Sequence, residues 1–552
     1  MSHLNRPDSS ATVAQSNNEI QSVGVPTTNT GTSGSPPDHA KSSRAISGLS
    51  VFTAEEKRNI LLYTIGIMCY KFALESYIGT IKALALERLT VNTFMYTGYL
   101  DGFNQAAQCI GSIIVAPLVR HFHTKTVLSV AVITFALISS LGMIIEAATG
   151  GKVPQQRVTG KALAGNWDAK GVIPIFVFAG ITHGMVELIR RIIPRDIVGG
   201  NVSKLRKMDS IVHIFYEVSG TAGAFFATFI ALTLGKAFAP VVSPFLFLAA
   251  AVFWWQIKVA RTDDIEGAKL SSVEEPVHRG GLIAGIVEAF TSFGVAIYEG
   301  ARIVLSSRKF AWLILGYSVP LVLHRYLENG LASNYAKIKL NESAYGPIMV
   351  GGSNFGELCG AAFVFFFTNL VKTPLPWLRL DAVTLSIAWI FYGVSPQSLG
   401  TSPIATAWVI AAVLIPISMG WAAGDVSLAA FIQSHVSRLK HTNPHVSSLG
   451  AVMAFLYVLY IVIYAIISPV IGGWLDRLPK DNKNEYFKYI GGVMFTILGV
   501  IIFAATLTPK GAFALNPEIL DEYGHGDEDE EDEDVDVGGK MKEKEMTEMI
   551  AG

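Results

Sequence analysis

Long apolar segments recur from about residue 60 to residue 507, separated by polar connections. Each is long enough to cross a bilayer as a helix, and their number predicts an all-α integral membrane protein with twelve transmembrane helices. The predicted spans are 60–82, 96–118, 126–147, 172–192, 210–234, 240–257, 309–331, 346–368, 379–395, 404–432, 447–470 and 488–507.

The longest internal connection, residues 258–308, contains one further apolar segment. Residues 283–305 carry Glu288, Glu299 and Arg302 among apolar positions. That pattern predicts an amphipathic helix on the membrane surface. A thirteenth span is the alternative, and it would move the C-terminus to the other side of the membrane.

Composition supports a polytopic membrane protein, with 51% hydrophobic and 16% charged residues. The first fifty residues are rich in Ser, Thr, Asn, Pro and Gly, which predicts disorder and no cleavable signal peptide. From Asp521 to Gly552 there are 14 acids and 3 bases, typical of a solvated tail. The predicted divisions are a tail (1–54), a six-helix half (55–257), a central loop (258–308), a second half (309–508) and an acidic tail (509–552).

Basic residues concentrate in the loop between the fourth and fifth spans, where six lie between 190 and 207. The positive-inside rule places that loop and both termini in the cytosol. Four basic residues between the third and fourth spans oppose this assignment. The sequon Asn341-Glu-Ser343 then falls in an outer loop, where glycosylation is expected.

Four apolar stretches carry a basic residue followed four positions later by a glutamate. This spacing places both side chains on one helix face, one turn apart. Ionisable groups at membrane depth are costly and normally face a bundle interior or a wet cavity, so the pairs predict a polar pathway. The pairs are Lys71/Glu75, His183/Glu187, His213/Glu217 and His324/Glu328.

The two halves of the chain repeat short patterns in the same order, which predicts a duplication of six spans with a substrate site between the halves. Gly102, Asn104 and Cys109 of the second span match Gly352, Asn354 and Cys359 of the eighth. Other matches are Leu74-Glu75 with Leu327-Glu328, Gly180-x-x-x-Gly184 with Gly420-x-x-x-Gly424, and Val202–Arg206 with Val436–Lys440.

With these features the chain resembles the major facilitator superfamily over about residues 55–508, in a style similar to its fungal members. The motifs of that family are degraded. Its signature after the second span keeps only a final basic residue, Lys125, and its antiporter signature is reduced to Gly220-x-x-Gly223. A closer copy, Ser468-Pro469-Val-Ile-Gly472-Gly473, ends the eleventh span, and the sugar-porter signatures are missing.

The resemblance implies that spans 1, 4, 7 and 10 line a central cavity, and three of the four base-x-x-x-Glu pairs lie on spans 1, 4 and 7. The candidate substrate and proton pathway residues are Lys71, Glu75, His183, Glu187, Glu217, His324, Arg325, Glu328, Glu357 and Asp425. Asn104, Asn354 and Trp421 are candidate substrate contacts, although the two asparagines are also suited to bonding between helices.

The role of each candidate has an alternative. Glu75 and Glu328 either bind a proton or a cationic group in turn, or each neutralises its neighbouring base. Glu217 faces the pathway or pairs with the loop arginines. Glu357 is a lone mid-membrane acid and a proton-site candidate. Asp101, and the pair Arg190 and Arg191, are predicted to lie at the membrane interface.

These observations favour a monomeric, proton-coupled exporter of a small organic molecule such as a metabolite or toxic compound. The antiporter-like signatures favour export, and the excess of mid-membrane acids favours a cationic or weakly basic substrate. Uptake of a nutrient or siderophore, and a non-transporting sensor on the same fold, are the alternatives. We predict a plasma membrane location, with the vacuolar membrane as the alternative.

An enzyme is not predicted, because the sequence has no nucleotide-binding loop, no metal-spaced His/Cys cluster and no nucleophile motif. The same absences leave no cofactor, metal or nucleic-acid partner to propose. A proton gradient is the predicted energy source, and the lipid bilayer and the substrate are the predicted partners.

Overall fold

The computed structural model describes nine stretches of the chain. Both predicted tails fall almost entirely outside these stretches. The described residues are 52–153, 164–198, 202–258, 282–306, 308–367, 370–371, 373–436, 448–509 and 511–514, with the side chains of a few helical positions, including Arg120 and Arg191, not described.

The described residues form thirteen helical elements, twelve of which match the predicted spans. The prediction of an all-α bundle in two six-helix halves is confirmed. The first half contains α1 (Ala54–Arg88), α2 (Thr93–His121), α3 (Thr124–Ala148), α4 (Val172–Val198), α5 (Val202–Leu234) and α6 (Val242–Trp255). Between the halves lies α7 (Leu282–Ser306), and the second half contains α8 (308–338), α9 (Gly346–Phe367), α10 (375–393), α11 (Pro403–Val436), α12 (Ser448–Arg477) and α13 (484–505).

Local sequence explains how α1 begins and why α8 is irregular. Thr53 accepts a hydrogen bond from the backbone N–H of Glu56, whose side chain accepts one in return, and this capping box starts α1. In α8 the chain changes from α-helix to π-helical turns at Ile314–Ser318 and again at Leu327–Ala332. Such turns are frequent at functional sites, and they change which side chains share a face.

Each six-helix half has the same internal packing. In the first half α2 packs on α4, and in the second half α9 packs on α11. The halves meet through α2 against α12 and through α5 against α9, the arrangement expected for a duplicated bundle with pseudo-two-fold symmetry. We call the face where α1 begins the basal face, and the face where α1 ends and α2 begins the distal face.

Glycines permit these close helix contacts, although the two Gly-x-x-x-Gly motifs have different partners. A Cβ on Gly180 or Gly184 would overlap the backbone of α2 at Asn104 and Gln108. In the second half Gly420 faces Asp381 of α10, and the tight contact with α11 is made instead by Gly352 and the later glycines of α9. The motifs therefore serve helix packing, as small residues commonly do in membranes.

The α7 helix lies across the basal ends of two spans from opposite halves. Gly285 approaches Pro117, one turn before the end of α2, and Gly300 approaches Ala451, one turn after the start of α12. These glycines are 15 residues apart, about 22 Å along a helix, so an orientation across the membrane would not keep both at basal depth. The geometry supports the predicted surface placement.

Within the described residues, length and composition alone select eight helices able to cross a membrane, and α7 is one of them. Its apolar side chains are largely exposed, with Ile283 at 79% and Tyr298 at 69%. An exposed apolar face on a helix at the basal ends of α2 and α12 fits contact with lipid at the interface.

Candidate functional site

The first half places a lysine and a glutamate of α1 against α5. Lys71 Nζ donates to Glu75 Oε1 at 2.6 Å, the predicted contact one turn apart. The ammonium also lies 4.5 Å from the centroid of the Tyr216 ring. Gly220 of α5 makes room for the Lys71 stem, because a Cβ there would overlap the lysine Cε. Lys71 is thus held by a carboxylate and an aromatic ring.

Glu187 of α4 is the centre of a second charged group. Its Oε2 accepts from Arg190 Nε at 2.5 Å, and its Oε1 accepts from the Tyr216 hydroxyl at 2.9 Å. His183 Nε2 lies 3.8 Å from Glu187 Oε1, a longer contact than either hydrogen bond. The Arg190 guanidinium lies 4.3 Å from the Tyr216 ring, so this ring is flanked by two cations, Lys71 and Arg190.

Arg190 and Tyr216 therefore belong to the candidate site, and the prediction that Arg190 anchors the membrane interface is wrong. The residue is partly buried and paired within α4. The spacing Glu187-x-x-Arg190 was an available signal, since positions three apart also share a helix face. Tyr216 gave no signal of its own in the sequence.

The second half contributes Arg325 and Glu328 of α8. Arg325 Nη1 lies 3.3 Å from Glu328 Oε2, while Glu328 Oε1 accepts a 2.7 Å hydrogen bond from Ser353 Oγ of α9. Ser353 Oγ is 2.6 Å from Ser418 Oγ of α11. Glu328 is therefore held from two directions, and its side chain is only 7% exposed.

The predicted pairing of His324 with Glu328 is not found. His324 points away from Glu328 and its Nε2 lies 2.8 Å from Asp381 Oδ1 of α10, with the Trp421 ring stacked on it at 5.0 Å. Each side chain instead has a partner on another helix, Asp381 of α10 for His324 and Ser353 of α9 for Glu328. Asp381 is fully buried and was not predicted.

Glu217 and Glu357 lie on α5 and α9, two helices that pack against each other across the halves. Glu357 lies within electrostatic range of Glu328 and Arg325 in its own half, and of Glu217 and Lys71 in the other. Among the described residues neither acid has a basic partner within 4 Å. His213, predicted to pair with Glu217, is exposed and makes no ion pair within the described part of the chain. As far as the chain is described, the site therefore contains two acids without a basic partner in addition to its ion pairs.

The remaining candidates lie elsewhere. Asn104 donates to the carbonyl of Phe176 in α4 at 2.6 Å, so it bonds between helices. Asn354 is buried in α9 with its amide nitrogen unpartnered among the described residues. Trp421 packs in the core of the second half, and Asp425 is partly buried one turn nearer the basal end of α11. Asn341 is exposed on the distal face with φ of 57°.

The distal face is closed by contacts between the halves. Lys82 of α1 forms a buried ion pair with Asp101 of α2 at 2.8 Å, and its Nζ also donates to Asn329 of α8. The prediction of Asp101 as an interface residue is therefore wrong, since it is 6% exposed. A lysine one helix away was its missing partner, and sequence spacing does not show such a contact.

A second layer of contacts lies further out on the same face. Lys236, after α5, contacts Glu87 of α1 and lies 2.6 Å from Glu342, before α9. Burial alone would lower the pKa of Lys236, but the hydrogen bonds that its ammonium donates to the two carboxylates outweigh burial and raise the pKa. Ser343 of the sequon is buried and donates to the carbonyl of Ala83 at 2.9 Å.

Helix ends complete this closure. Asp476, at the distal end of α12, accepts hydrogen bonds from the backbone N–H groups of Phe94 and Met95 in the first turn of α2. The segment Ser468–Gly473 packs tightly on α2, where a Cβ on Gly472 would overlap the carbonyl of Phe94. Apart from α7, the inter-half hydrogen bonds and ion pairs of the described residues are central or distal.

The site can hold a proton or a charged small molecule in the space between the halves. No group of three metal-ligating side chains suited to an ion occurs among the described residues. The charged groups are three basic residues, Lys71, Arg190 and Arg325, and five carboxylates, Glu75, Glu187, Glu217, Glu328 and Glu357.

No protein-family model and no curated protein sequence matches this chain. Solved structures do resemble it. The crystal structure of a mutant of the nucleoside transporter NupG has a TM-score of 0.57 and 11% identity, covering 82% of this chain and 100% of its own.

Two other solved structures are similar to the same extent. A D-xylose–proton symporter has a TM-score of 0.54 and 12% identity, covering 84% of this chain and 98% of its own. A POT family transporter in complex with 5-aminolevulinic acid has a TM-score of 0.55 and 10% identity, covering 82% and 97%. With two pseudo-symmetric six-helix halves and this likeness, the chain has the major facilitator fold of multi-pass membrane proteins.

Proposed function

We propose that the chain is a proton-coupled secondary transporter of a small organic molecule, working by alternating access. The observation that carries this proposal is the imbalance of charge in the central site. Three of its carboxylates have basic partners, at 2.6 Å for Glu75, 2.5 Å for Glu187 and 3.3 Å for Glu328. Glu217 and Glu357 have none among the described residues.

An unpaired carboxylate away from bulk water is costly when ionised, and taking up a proton removes the cost. Two such acids close to each other cannot both ionise cheaply, so one proton shared between them is favoured. Because they lie on α5 and α9, which belong to different halves, rocking of the halves changes the distance between them. We propose this pair as the proton site.

The closed distal face supports alternating access. The halves are joined by hydrogen bonds and ion pairs on the distal face, and the described residues form no such bonds between the halves on the basal face, apart from α7. This arrangement is suited to rocking of the halves about a central site. We place the basal face in the cytosol, from the loop charges. The similar D-xylose–proton symporter, by its name, couples a solute to protons, which supports the same coupling here.

The direction of transport follows from whether the molecule moves with the proton or against it. The antiporter-like segment Ser468–Gly473, which favoured export, has a packing role at the closed distal face. The excess of acids, which favoured a cationic substrate, reduces to Glu217 and Glu357 once the ion pairs are taken into account. Export and uptake are therefore both measured in the experiment below.

The test uses purified protein in lipid vesicles with an internal fluorescent pH reporter and a panel of acids, amines and uncharged compounds. In wild-type vesicles we expect one class of compound to move protons and to accumulate under a pH gradient. In Glu357→Gln and Glu217→Gln we expect accumulation driven by the gradient to fall at least tenfold, while exchange of compound at equal pH continues.

Glu299→Gln is the matched control, because Glu299 lies on α7 outside the bundle. It is expected to behave as wild type. If the rate of compound flux did not depend on pH in wild type or in either site variant, the protein would be a facilitator and the proton site would be refuted. Folded protein that moves no compound at all would refute transport and favour the sensor.

A further inference from the structure

The Arg325 side chain is unusually exposed for the middle of a helical bundle. It is 45% exposed, while the side chains of Lys71 and Arg190 are 11% and 19% exposed. Its electrostatic neighbours are Glu328 on its own helix, Glu357 on α9, and Tyr457 and Tyr460 on α12.

These neighbours show what Arg325 faces. It is also within electrostatic range of His183 of α4, in the other half. A guanidinium surrounded by α4, α9 and α12 faces the space between the halves and not the lipid. Its exposure therefore measures water-accessible room beside the charge, in the position that a bound molecule would occupy.

Among the described cations of the site, Arg325 makes the longest contact with its glutamate. A guanidinium has five N–H donors in a planar fork. One hydrogen bond is found here, to Glu328 at 3.3 Å, which is long for a charge-assisted bond. By contrast, Lys71 and Arg190 contact their glutamates at 2.6 and 2.5 Å and also pack on Tyr216.

Glu328 does not depend on Arg325 alone. Its other oxygen is held by Ser353 at 2.7 Å, and Ser353 is in turn bonded to Ser418. A ligand can therefore take the Arg325 fork while Glu328 keeps a hydrogen-bond partner. The planar fork matches a carboxylate, which it binds through two parallel bonds.

The charge balance of the site selects a monoanion. Five carboxylates face three bases, so a dianion such as a phosphate monoester would add to an existing excess of negative charge. A carboxylate with one charge is tolerated when the unpaired acids Glu217 and Glu357 carry a proton. Binding of the anion and uptake of the proton therefore favour each other.

We propose that the transported molecule carries a carboxylate that Arg325 binds through two hydrogen bonds, and that the proton moves in the same direction. This inference rests on the proposed function and names its substrate class. It departs from the export by antiport that the sequence signatures favoured, because an inward proton gradient would then drive uptake.

The experiment compares matched compounds that differ in one group: benzoate, benzamide, benzylamine and phenyl phosphate, together with succinate and its monoamide. Uptake and proton movement are measured in the same vesicles. We expect flux for the two monocarboxylates, benzoate and the monoamide of succinate, and none for the dianion succinate or for the compounds without a carboxylate. Their half-saturating concentration should be about tenfold higher in Arg325→Lys, because lysine keeps the charge and loses the fork. Arg302→Lys is the matched control, since Arg302 has a glutamate three positions away on α7.

Each other outcome is informative. If benzylamine, benzamide or phenyl phosphate shows proton-coupled flux and the monocarboxylates do not, the carboxylate assignment is overturned and the proposed function stays intact. Carboxylate flux unchanged in Arg325→Lys would overturn the role of Arg325. Absence of flux for every compound would overturn both proposals.

A double variant separates loss of binding from loss of folding. Arg325→Gln combined with Glu328→Gln keeps the net charge of the site, because both members of one ion pair are removed together. We expect wild type to be stabilised by benzoate or by the monoamide of succinate. The double variant should be folded, should melt within a few degrees of wild type, and should not be stabilised by either compound. Retained stabilisation would contradict the proposal.

Discussion

Lysines in poorly hydrated places are held in two different ways in this chain. Lys71 has a carboxylate partner, whereas Lys339, in the distal loop after α8, has only carbonyl oxygens and rings. Its Nζ donates to the carbonyls of Tyr392 at 2.7 Å and Val394 at 3.3 Å. Burial without an acid lowers the pKa of Lys339 to about 8. A lysine of this kind carries a large neutral fraction near physiological pH.

We predict that Lys339 reacts fastest among the distal lysines with an amine-directed acylating reagent. At pH 7.5 about a quarter of its amine is neutral, against about 0.1% for an ordinary lysine. The rate should rise with pH and level off above about pH 8, as followed by peptide mass spectrometry. By linkage, the folded state gains stability from this group as pH rises between about 8 and 10.

Lys236 is the internal control for that measurement, because its carboxylate partners raise its pKa. It should label slowly over the same pH range. A membrane-impermeant reagent that labels Lys339 from outside intact cells would also support the proposed cytosolic placement of the basal face. Equal labelling rates for the two lysines would contradict the prediction.

At the scale of helices, the contact between α2 and α4 depends on the absence of a side chain at Gly184. A Cβ there would overlap the backbone of Gln108, which cannot move without separating the helices. Gly142 of α3 has nothing within 4 Å of the equivalent position. Alanine at Gly184 therefore measures the effect of a side chain on helix packing, and alanine at Gly142 measures the effect of helix propensity alone.

We predict opposite effects for the two alanine substitutions. Gly184→Ala should lower the melting temperature and cost about 1–3 kcal/mol through overpacking. Gly142→Ala should be neutral or stabilising by up to about 1 kcal/mol, since alanine is the better helix former. Thermal unfolding in detergent measures both. Equal destabilisation by the two substitutions would show that the α2–α4 contact is not specific.

The sequence predicted the helices well and their side-chain partners only in part. Apolar runs are local, so all twelve spans were recoverable. The Lys71/Glu75 contact was recoverable because α1 is regular over those residues. The partner of His324 was not, because Asp381 comes from another helix.

Partners between helices depend on tertiary contacts that spacing cannot show. Lys82 and Asp101 are only 19 positions apart and still gave no pattern, because they lie on different helices. The excess of acids was visible in the sequence, but which acids lack a base was not. Glu217 and Glu357 lack a basic partner within the described residues, whereas Glu75, Glu187 and Glu328 have one. The proposed proton site depends on this difference.

For the whole molecule, alternating access requires the distal contacts to break as a set. Two layers are present, the buried group around Lys82 and the outer group around Lys236. Breaking the buried layer by mutation would leave a buried charge unpaired and endanger folding. The outer layer is the better test, because Glu87 and Glu342 are partly exposed and can be rehydrated.

We predict that Lys236→Gln increases the population open on the distal face by up to about fivefold, since partly exposed ion pairs are each worth roughly 0.2–1 kcal/mol. Spin labels on Val91→Cys in the first half and Gln397→Cys in the second would report this as a growing long-distance component. Both positions are exposed on the distal face. The native cysteines, Cys69, Cys109 and Cys359, would be replaced first.

The control for this measurement is Lys488→Gln. Lys488 lies 3.4 Å from Glu485, three positions earlier in the same half, so its loss removes a distal ion pair that does not bridge the halves. We expect its distance distribution to match wild type. If Lys488→Gln opened the distal face as much as Lys236→Gln, the effect would be one of surface charge. If neither changed the distribution, the closed state would be held by the buried layer and by the packing of α2 on α12, and the outer ion pairs would have no part in gating.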